Sequence, residues 1–312
     1  LPPQLPAPGA GRSDRLRLAV RVLVLGAGGQ LGRDLVPQLR DAGHEVLALT
    51  RGDLDIAEEG ALARLLGGST FDRVVNCAAY TNVDRAEAEP ELAARCNSQG
   101  AAMVARACAG AGVPLCHLST DFVFGGDPPE GGRGWLESDP VSPSGVYATT
   151  KREGELACLA ARGPLYLVRT SWLYGNSGPN FPLAILRRGA AGQPLRVVAD
   201  QVGSPTWTLD LARTLTRLLE LPPCGILHLS GSGRTTWHRF AVELLRQAGV
   251  EAEVSPVSTA DWGAPAPRPR FSVLDSEHLA ELGLAPLRPW EEALGDYLRS
   301  DPSVATVLHH LG

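Results

Sequence analysis

The chain has 312 residues, of which 44% are hydrophobic and 20% are charged, and its formal net charge is -5. This length allows one large domain or two unequal domains with a substantial core. The mildly acidic balance gives no reason to expect a nucleic-acid or membrane-surface partner, and no apolar run reaches the length that spans a bilayer.

The six cysteines form no CxxC pair, and several lie in apolar stretches such as VVNCAA and VPLCHLS. Cysteine acts there as a small core residue, so its use favours a reducing, cytoplasmic location. Residues 1–17 are rich in Pro, Gly and Ala and lack the apolar h-region of a secretory signal. We expect them to form a flexible tail.

Apolar runs of strand length alternate with longer segments of helical period from Leu18 onward. The predicted strands cover residues 18–27, 45–50, 73–79, 113–120, 165–171 and 195–200. Strands that are apolar on both faces and alternate with helices indicate an α/β fold with a parallel sheet covered on both sides. Ligands bind at the carboxyl ends of such strands. After Asp200 the pattern loosens, which suggests a smaller second lobe.

A glycine-rich turn, VLVLGAGGQLGRDL, joins the first predicted strand to the first helix. Gly26, Gly29 and Gly32 have the spacing GxxGxxG, and glycine there permits a tight turn and a close backbone approach to a pyrophosphate. A purely structural turn is the alternative. The position at the start of a βαβ series favours nucleotide binding.

The end of the second strand bears on the choice of cofactor. An acidic residue there would accept hydrogen bonds from the ribose of NAD, whereas arginine suits the 2′-phosphate of NADP. The chain has Arg51 at this point, which favours NADP, and Asp53 is the competing ribose partner.

Three further segments are candidates for the same cleft. Asp55 and Ile56 are placed to touch an adenine ring, and the small residues before Tyr80 let a cofactor pass close to the backbone. Asn97 is a polar residue in an otherwise apolar helix. A buried amide satisfied by the backbone is as good an interpretation of Asn97 as a site role.

Seven stretches occur in order between Gly26 and Asp275: GAGGQLG, NCAAYTNVDRAE, LSTDFVFGG, YATTK, RTSWLYG, DQVGSPTW and RPRFSVLD. With them the chain resembles the extended short-chain dehydrogenase/reductase superfamily, and within it the dTDP-4-dehydrorhamnose reductase family. The glycine turn and Tyr-x-x-x-Lys mark the superfamily. RTSWLYG, DQVGSPT and RPRFSVLD are specific to the reductase branch.

The resemblance implies a Rossmann-type, doubly wound NADP-binding domain over residues 18–172, to which residues 195–221 return. It implies a smaller substrate-binding domain over 173–300 and a C-terminal tail over 301–312. It also implies NADPH, with NADH as an alternative, delivering hydride to the C4 carbonyl of a dTDP-4-keto-6-deoxy sugar.

The resemblance also assigns site residues by their position in the motifs. Thr120, Tyr147 and Lys151 would form the catalytic triad. The expected cofactor-binding residues are Gly26, Gly29, Gln30, Leu31, Gly32, Arg51, Asp55, Ile56, Ala78, Ala79, Tyr80, Asn97, Tyr147 and Lys151. The expected substrate-binding residues are Asp121, Phe122, Val123, Trp172 and Arg268. Arg268 would neutralise the substrate diphosphate, unless its role is structural. Phe122 stands where family members commonly carry tyrosine.

Some family members bind Mg²⁺ through acidic side chains at a dimer interface, and Asp34 lies where one such acid would be. The other ligands have no clear counterpart in the sequence, so no metal is assigned, and Mg²⁺ and a homodimer stay open.

The Tyr-x-x-x-Lys spacing has its own chemistry. Positions four apart share one helix face, so Tyr147 and Lys151 point the same way. A tyrosine with an ordinary pKa of about 10 is protonated at neutral pH and can protonate a carbonyl oxygen. A lysine cation beside it is expected to lower that pKa, and Thr120 can hold the substrate oxygen.

Two alternatives remain at this point. Tyr147 and Lys151 can be an exposed helix turn, with Lys151 and Glu155 as an ordinary surface pair. On the functional side, the chain can be a related nucleotide-deoxysugar ketoreductase of antibiotic sugar synthesis. It can also be a non-catalytic NADP-binding regulatory subunit that resembles the beta subunit of methionine adenosyltransferase.

Overall fold

The structure, a computed structural model, describes residues 19–68 and 70–309. The tail expected over residues 1–17 lies outside the described residues, as do residues 310–312. Within the described part of the chain, no helix combines the length and apolar character needed to cross a membrane.

The larger lobe is built on a parallel sheet of six strands in the order β10-β5-β4-β3-β1-β2. Its strands are β1 (Arg21–Leu25), β2 (Glu45–Leu49), β3 (Arg73–Asn76), β4 (Leu115–Thr120), β5 (Leu165–Thr170) and β10 (Gly225–His228). The first five are the first five strands expected from the sequence. The strand order reverses between β1 and β3, which is where doubly wound sheets bind their ligands.

Helices cover both faces of this sheet, because successive side chains of a strand point to opposite faces. Val22 and Val24 pack with α1 and α8, whereas Leu23 and Leu25 pack with α2 and α5. The helices of this lobe are α1 (Gln30–Asp41), α2 (Ala61–Gly67), α3 (Val83–Ala88), α4 (Pro90–Ala94), α5 (Ala101–Ala111), α6 (Gly145–Ala160) and α8 (Thr208–Leu218). The expected α/β fold, doubly wound, is confirmed.

The smaller lobe has an apolar core of its own, formed mainly by its helices. They are α7 (Phe181–Ala190), α9 (Trp237–Ala248), α10 (Thr259–Trp262), α11 (Trp290–Ser300) and α12 (Pro302–His309). Three pairs of short strands accompany them: β6 (Leu173–Tyr174) with β9 (Thr206–Trp207), β8 (Val202–Gly203) with β11 (Thr235–Thr236), and β7 (Leu195–Val198) with β12 (Val254–Val257).

The structure differs from the sequence-based prediction in two segments. The strand expected at residues 195–200 forms β7, which pairs with β12 and packs on α9 instead of returning to the large sheet. The chain returns later, through α8 and then β10, which pairs with β5. The expected tail at 301–312 contains α12, which packs into the small lobe through the fully buried Val304.

Candidate active site

The glycine turn brings the first helix close to the ends of β1 and β3. Gly26 has φ +75°, and a Cβ added to it would lie 2.6 Å from the backbone nitrogen of Ala78. A Cβ on Gly32 would lie 2.6 Å from the carbonyl oxygen of Gly26. Both positions therefore exclude side chains, and the N-terminus of α1 faces the crevice with its backbone amides.

A cleft of about 420 Å³ lies beside this turn. The lining residues that the sequence singled out are Gly26, Gly29, Arg51, Asp55, Ile56, Ala78, Ala79 and Tyr80. Those it missed are Gly28, Thr50, Gly52, Leu54, Cys77 and Cys96. Five of them are near neighbours of named residues in the loops that follow β1, β2 and β3, so the strand-end rule points to them as well. Cys96 lies in the helical segment Arg95–Gly100, next to Asn97. Gln30, Leu31 and Gly32 do not line the cleft, and Leu31 packs in the core.

Asp53 and Arg51, the two residues that could bind the adenosine ribose or its 2′-phosphate, have different surroundings in the structure. The carboxylate of Asp53 accepts hydrogen bonds from the backbone nitrogen of Thr50 at 2.9 Å and from its hydroxyl at 2.7 Å. These bonds hold the pKa of Asp53 below its usual value. Asp53 is thus engaged in closing its own turn, whereas Arg51 lines the cleft and is exposed.

Asn97 lies outside the cleft lining, in a π-helical turn that spans Arg95–Gly100. Its buried amide accepts from the backbone nitrogen of Tyr80 at 2.8 Å and donates to the carbonyl of Tyr80 at 3.0 Å and to the hydroxyl of Thr150 at 3.2 Å. It therefore fixes the loop after β3 to α6. Single π-turns inside helices are frequent at functional sites.

The three expected catalytic residues come together at the carboxyl end of β4. Thr120 ends that strand, and Tyr147 lies in the first turn of α6. Burial raises the pKa of Tyr147 to about 12, and interaction with the Thr120 side chain opposes this rise. Lys151 is not among the groups that shift this pKa, and its Nζ atom donates to the carbonyl of Leu118 at 2.6 Å.

The exposed-turn interpretation of this helix is wrong. The side chain of Lys151 is 3% exposed and that of Glu155 is 0% exposed. The pair is therefore part of the buried face of α6 rather than a surface ion pair. Burial lowers the pKa of Lys151 to about 8, and the attraction of Glu155 opposes this fall.

Asp121, Phe122 and Val123 form a short 3-10 turn directly after β4. Asp121 is buried, which raises the pKa of its carboxyl to about 7, while Ser272 and Thr120 oppose the rise. The ring of Phe122 meets that of Tyr147 edge to face, with centroids 5.4 Å apart. The side chain of Val123 is fully buried in an apolar cluster and does not face the crevice.

Trp172 and Arg268 lie toward the small lobe. Trp172 has φ +45° and stacks on Trp237 with 3.6 Å between ring centroids. The Arg268 guanidinium binds both carboxylate oxygens of Asp84, at 2.9 and 2.8 Å. Arg268 also lines a pocket of about 260 Å³. The basic and aromatic residues of this pocket are Phe181, Arg188, Arg196, Trp237, Trp262 and Arg268.

Asp34, the acid that the resemblance places at a possible magnesium site, is bound to a residue of this chain. Its carboxylate accepts a hydrogen bond from Thr208, and burial raises its pKa, with a smaller contribution from Asp301. Among the described residues, the cluster of acidic and histidine side chains close enough for a shared ion lies elsewhere, at Glu137, Glu277 and His278.

Comparison with known proteins adds independent information. The model of the family "RmlD substrate binding domain" matches residues 20–302. A dTDP-4-dehydrorhamnose reductase of Streptomyces griseus is 45% identical over 281 residues, covering 88% of this chain and 91% of that protein. A spore coat polysaccharide biosynthesis protein of Bacillus subtilis is 41% identical over 283 residues, covering 91% of this chain and 98% of that protein.

A solved structure agrees with these relatives. The dTDP-4-dehydrorhamnose reductase of Bacillus anthracis in complex with NADP superposes with a TM-score of 0.86 at 35% identity. The superposition covers 90% of this chain and 99% of that one. The chain therefore belongs to the RmlD substrate binding domain family.

Proposed function

We propose that the protein is a dTDP-4-dehydrorhamnose reductase. It uses NADPH to reduce the C4 keto group of dTDP-4-dehydro-L-rhamnose, and the product is dTDP-L-rhamnose. The observation that carries the proposal is the meeting of Thr120, at the carboxyl end of β4, with Tyr147, in the first turn of α6, with Lys151 buried one helix turn after Tyr147. The names and coverage of the relatives support the same activity.

The cofactor cleft suits a dinucleotide, because Gly26 and Gly32 leave no room for a Cβ at the turn where backbone amides meet a pyrophosphate. The exposed Arg51 favours a 2′-phosphate, and the NADP in the Bacillus anthracis relative supports this choice. NADH remains the second cofactor. When bound, the nicotinamide supplies the hydride.

The chain's own residues handle the proton. Tyr147 keeps its proton at neutral pH, because burial raises its pKa to about 12, so it serves as the general acid for the carbonyl oxygen. Thr120 holds the same oxygen through its hydroxyl. For Lys151 to stabilise the tyrosinate formed after proton transfer, its ammonium turns from the carbonyl of Leu118 toward Tyr147.

The substrate lies between the lobes. Trp172, Asp121 and Phe122 are proposed to contact the sugar. The pocket of about 260 Å³ takes the nucleotide, since it combines Arg188, Arg196 and Arg268 with aromatic rings.

The cofactor-binding domain would then comprise residues 18–172 with 208–229, and the substrate-binding domain most of the remainder. The six cysteines are free thiols, which supports a cytoplasmic location.

The test is NADPH oxidation with dTDP-4-dehydro-L-rhamnose by the wild type and by Tyr147→Phe. We expect rapid turnover that falls roughly 10²- to 10⁴-fold in the variant, which is the usual contribution of a general acid. NADPH affinity should be retained. Tyr166→Phe is the matched control, because the Tyr166 hydroxyl bonds to the Leu221 carbonyl away from the crevice.

Other outcomes point to the alternatives. Faster turnover with a different dTDP-4-keto-6-deoxy sugar would make the protein a related ketoreductase. Tight NADPH binding without turnover of any such sugar would indicate a regulatory subunit. Full activity in Tyr147→Phe would contradict the proton-donor role.

A further inference from the structure

Lys151 is the single lysine of this chain, and the other 28 of its 29 basic Lys and Arg residues are arginine. Arginine stays charged in proteins, whereas a buried lysine changes its protonation near neutral pH. The single lysine ammonium of the chain thus lies at a buried position, one helix turn from Tyr147. The proposed reaction needs this ammonium to be charged, so the groups that stabilise its charge affect the reaction.

The hydrogen-bond acceptor of Lys151 is not an anion. The Nζ atom donates to the carbonyl of Leu118 at 2.6 Å, and a carbonyl group is neutral. Burial acts against the ammonium and lowers its pKa to about 8. A nearby anion is the physical means of holding the charge.

Glu155 is that anion, one helix turn after Lys151 on the same buried face of α6. Burial acts against its ionisation, but hydrogen bonds from Arg169, Ser119 and Arg152 outweigh burial and keep its pKa below the usual value. The bonds to Arg169 measure 2.9 and 3.0 Å, that from Ser119 measures 2.6 Å and that from Arg152 measures 2.7 Å.

Among the residues that the structure describes, three other titratable groups interact electrostatically with Lys151, and none of the three is charged at neutral pH. The thiols of Cys77, after β3, and Cys158, on α6, have pKa values raised to about 12 by burial. His117, on β4, has its pKa lowered to about 3, mainly by burial. Among these neighbours, Glu155 is therefore the group that offsets the Lys151 charge.

We infer that Glu155 is a positioning residue that holds the buried Lys151 in its ammonium form. The inference rests on the proposed reductase function for its catalytic meaning. The charge state of Lys151 itself is measurable without any turnover.

The experiment labels the protein with ¹⁵N-lysine, which gives a single side-chain resonance because Lys151 is the one lysine. Its titration is followed by NMR in the wild type, in Glu155→Gln and in Glu153→Gln. Glu153 lies on the same helix but is exposed, so it is the matched control. We expect the Lys151 midpoint to fall by roughly one pH unit or more in Glu155→Gln and to stay unchanged in the control.

The pH dependence of kcat/KM, which reports groups of the free enzyme, gives the second readout. In Glu155→Gln the alkaline limb should move to lower pH by the same amount as the NMR midpoint, with activity recovering as the pH falls. An equal loss of kcat/KM at every pH, with an unshifted Lys151 midpoint, would overturn the inference and leave Glu155 a purely structural role. An inactive wild type with a shifted midpoint would instead count against the proposed function alone.

Folding of the variant is addressed by two further proteins. Glu155→Gln leaves Arg169 buried without its carboxylate, so the double variant Glu155→Gln, Arg169→Met removes both charges. Its midpoint should also fall, but by less than in Glu155→Gln alone, because loss of the Arg169 cation partly offsets loss of the Glu155 anion. Arg152→Gln removes a partly exposed cation that neutralises Glu155 and should move the midpoint upward. A Lys151 midpoint that is unmoved in Arg152→Gln would contradict the inference even if neither Glu155 variant folds.

Discussion

At the scale of single residues, Arg51 determines how the cleft distinguishes its two cofactors. The competing residue Asp53 is bound to Thr50, whereas Arg51 lines the cleft and is exposed. Hydrogen bonds to charged groups contribute roughly 1.5–3 kcal/mol, so Arg51→Ala should raise the KM for NADPH about tenfold or more. The KM for NADH should change little. Steady-state kinetics with both cofactors checks this, with Arg40→Ala as an exposed control, and equal effects on the two cofactors would contradict a phosphate role.

Titration of the buried Asp121 carboxyl makes the stability of the fold depend on pH. In the unfolded chain its carboxyl has an ordinary pKa near 4, whereas burial in the fold raises the pKa to about 7. The folded protein thus holds a proton that the unfolded chain releases, so this group's stabilising contribution is full below pH ~4 and is lost as the pH rises toward ~7.

Asparagine at position 121 cannot ionise, so the variant does not lose this stabilising contribution as the pH rises. We expect Asp121→Asn to be more stable than the wild type by about 2–4 kcal/mol at pH ~8, with the difference vanishing near pH ~4, because each pKa unit corresponds to about 1.4 kcal/mol. Urea unfolding at the two pH values measures it. Asp127→Asn, which changes an exposed carboxyl nearby, should show no such dependence. A pH-independent difference for Asp121→Asn would rule out the titration as its cause.

At the scale of elements, the glycine turn is predicted from the sequence because its GxxGxxG spacing and its place between a strand and a helix are local features. A Cβ on Gly26 would meet the Ala78 backbone at 2.6 Å, and φ is +75°. Gly26→Ala should therefore destabilise the protein by more than 1 kcal/mol and weaken NADPH binding at least tenfold. Thermal unfolding and NADPH titration check both.

Gly110→Ala is the matched control for this change. Gly110 lies in the exposed part of α5 with open space where its Cβ would be, so alanine should be neutral or slightly stabilising there. Unchanged NADPH affinity in Gly26→Ala would show that the turn tolerates a side chain.

The sequence of a strand does not predict which strand it pairs with. β7 and the strands of the large sheet have similar apolar patterns, and β7 nonetheless pairs with β12, about 60 residues later in the chain. β10 is four residues long and was not recognised, although it completes the large sheet beside β5. A strand's own residues specify that it is buried, but its partner depends on which surface the rest of the chain presents.

At the scale of the whole molecule, Arg268 joins the lobes through its bond with Asp84 in α3. This pair holds the guanidinium in the nucleotide pocket before substrate arrives. Asp84→Asn should leave stability within about 1 kcal/mol, because the pair is partly exposed. The KM for the dTDP-sugar should rise about two- to tenfold, since ordering a free arginine costs roughly 0.5–1.5 kcal/mol.

The comparison for this variant is Glu243→Gln, which breaks an exposed ion pair with Arg246 in the small lobe. It should leave the KM unchanged. A KM in Asp84→Asn equal to that of the wild type would mean that Asp84 does not prepare Arg268 for the substrate.

The sequence by itself determined the α/β class, the first five strands, the glycine turn and the residues of the Tyr-x-x-x-Lys helix. These features depend on residues that are neighbours in the chain, where spacing along a strand or helix sets direction. Only the tertiary structure decided the partner of β7, the nucleotide pocket that combines Arg188 and Arg196 with Arg268, and the burial of Glu155. Each of these depends on packing or charge between segments far apart in sequence, and no local pattern encodes it.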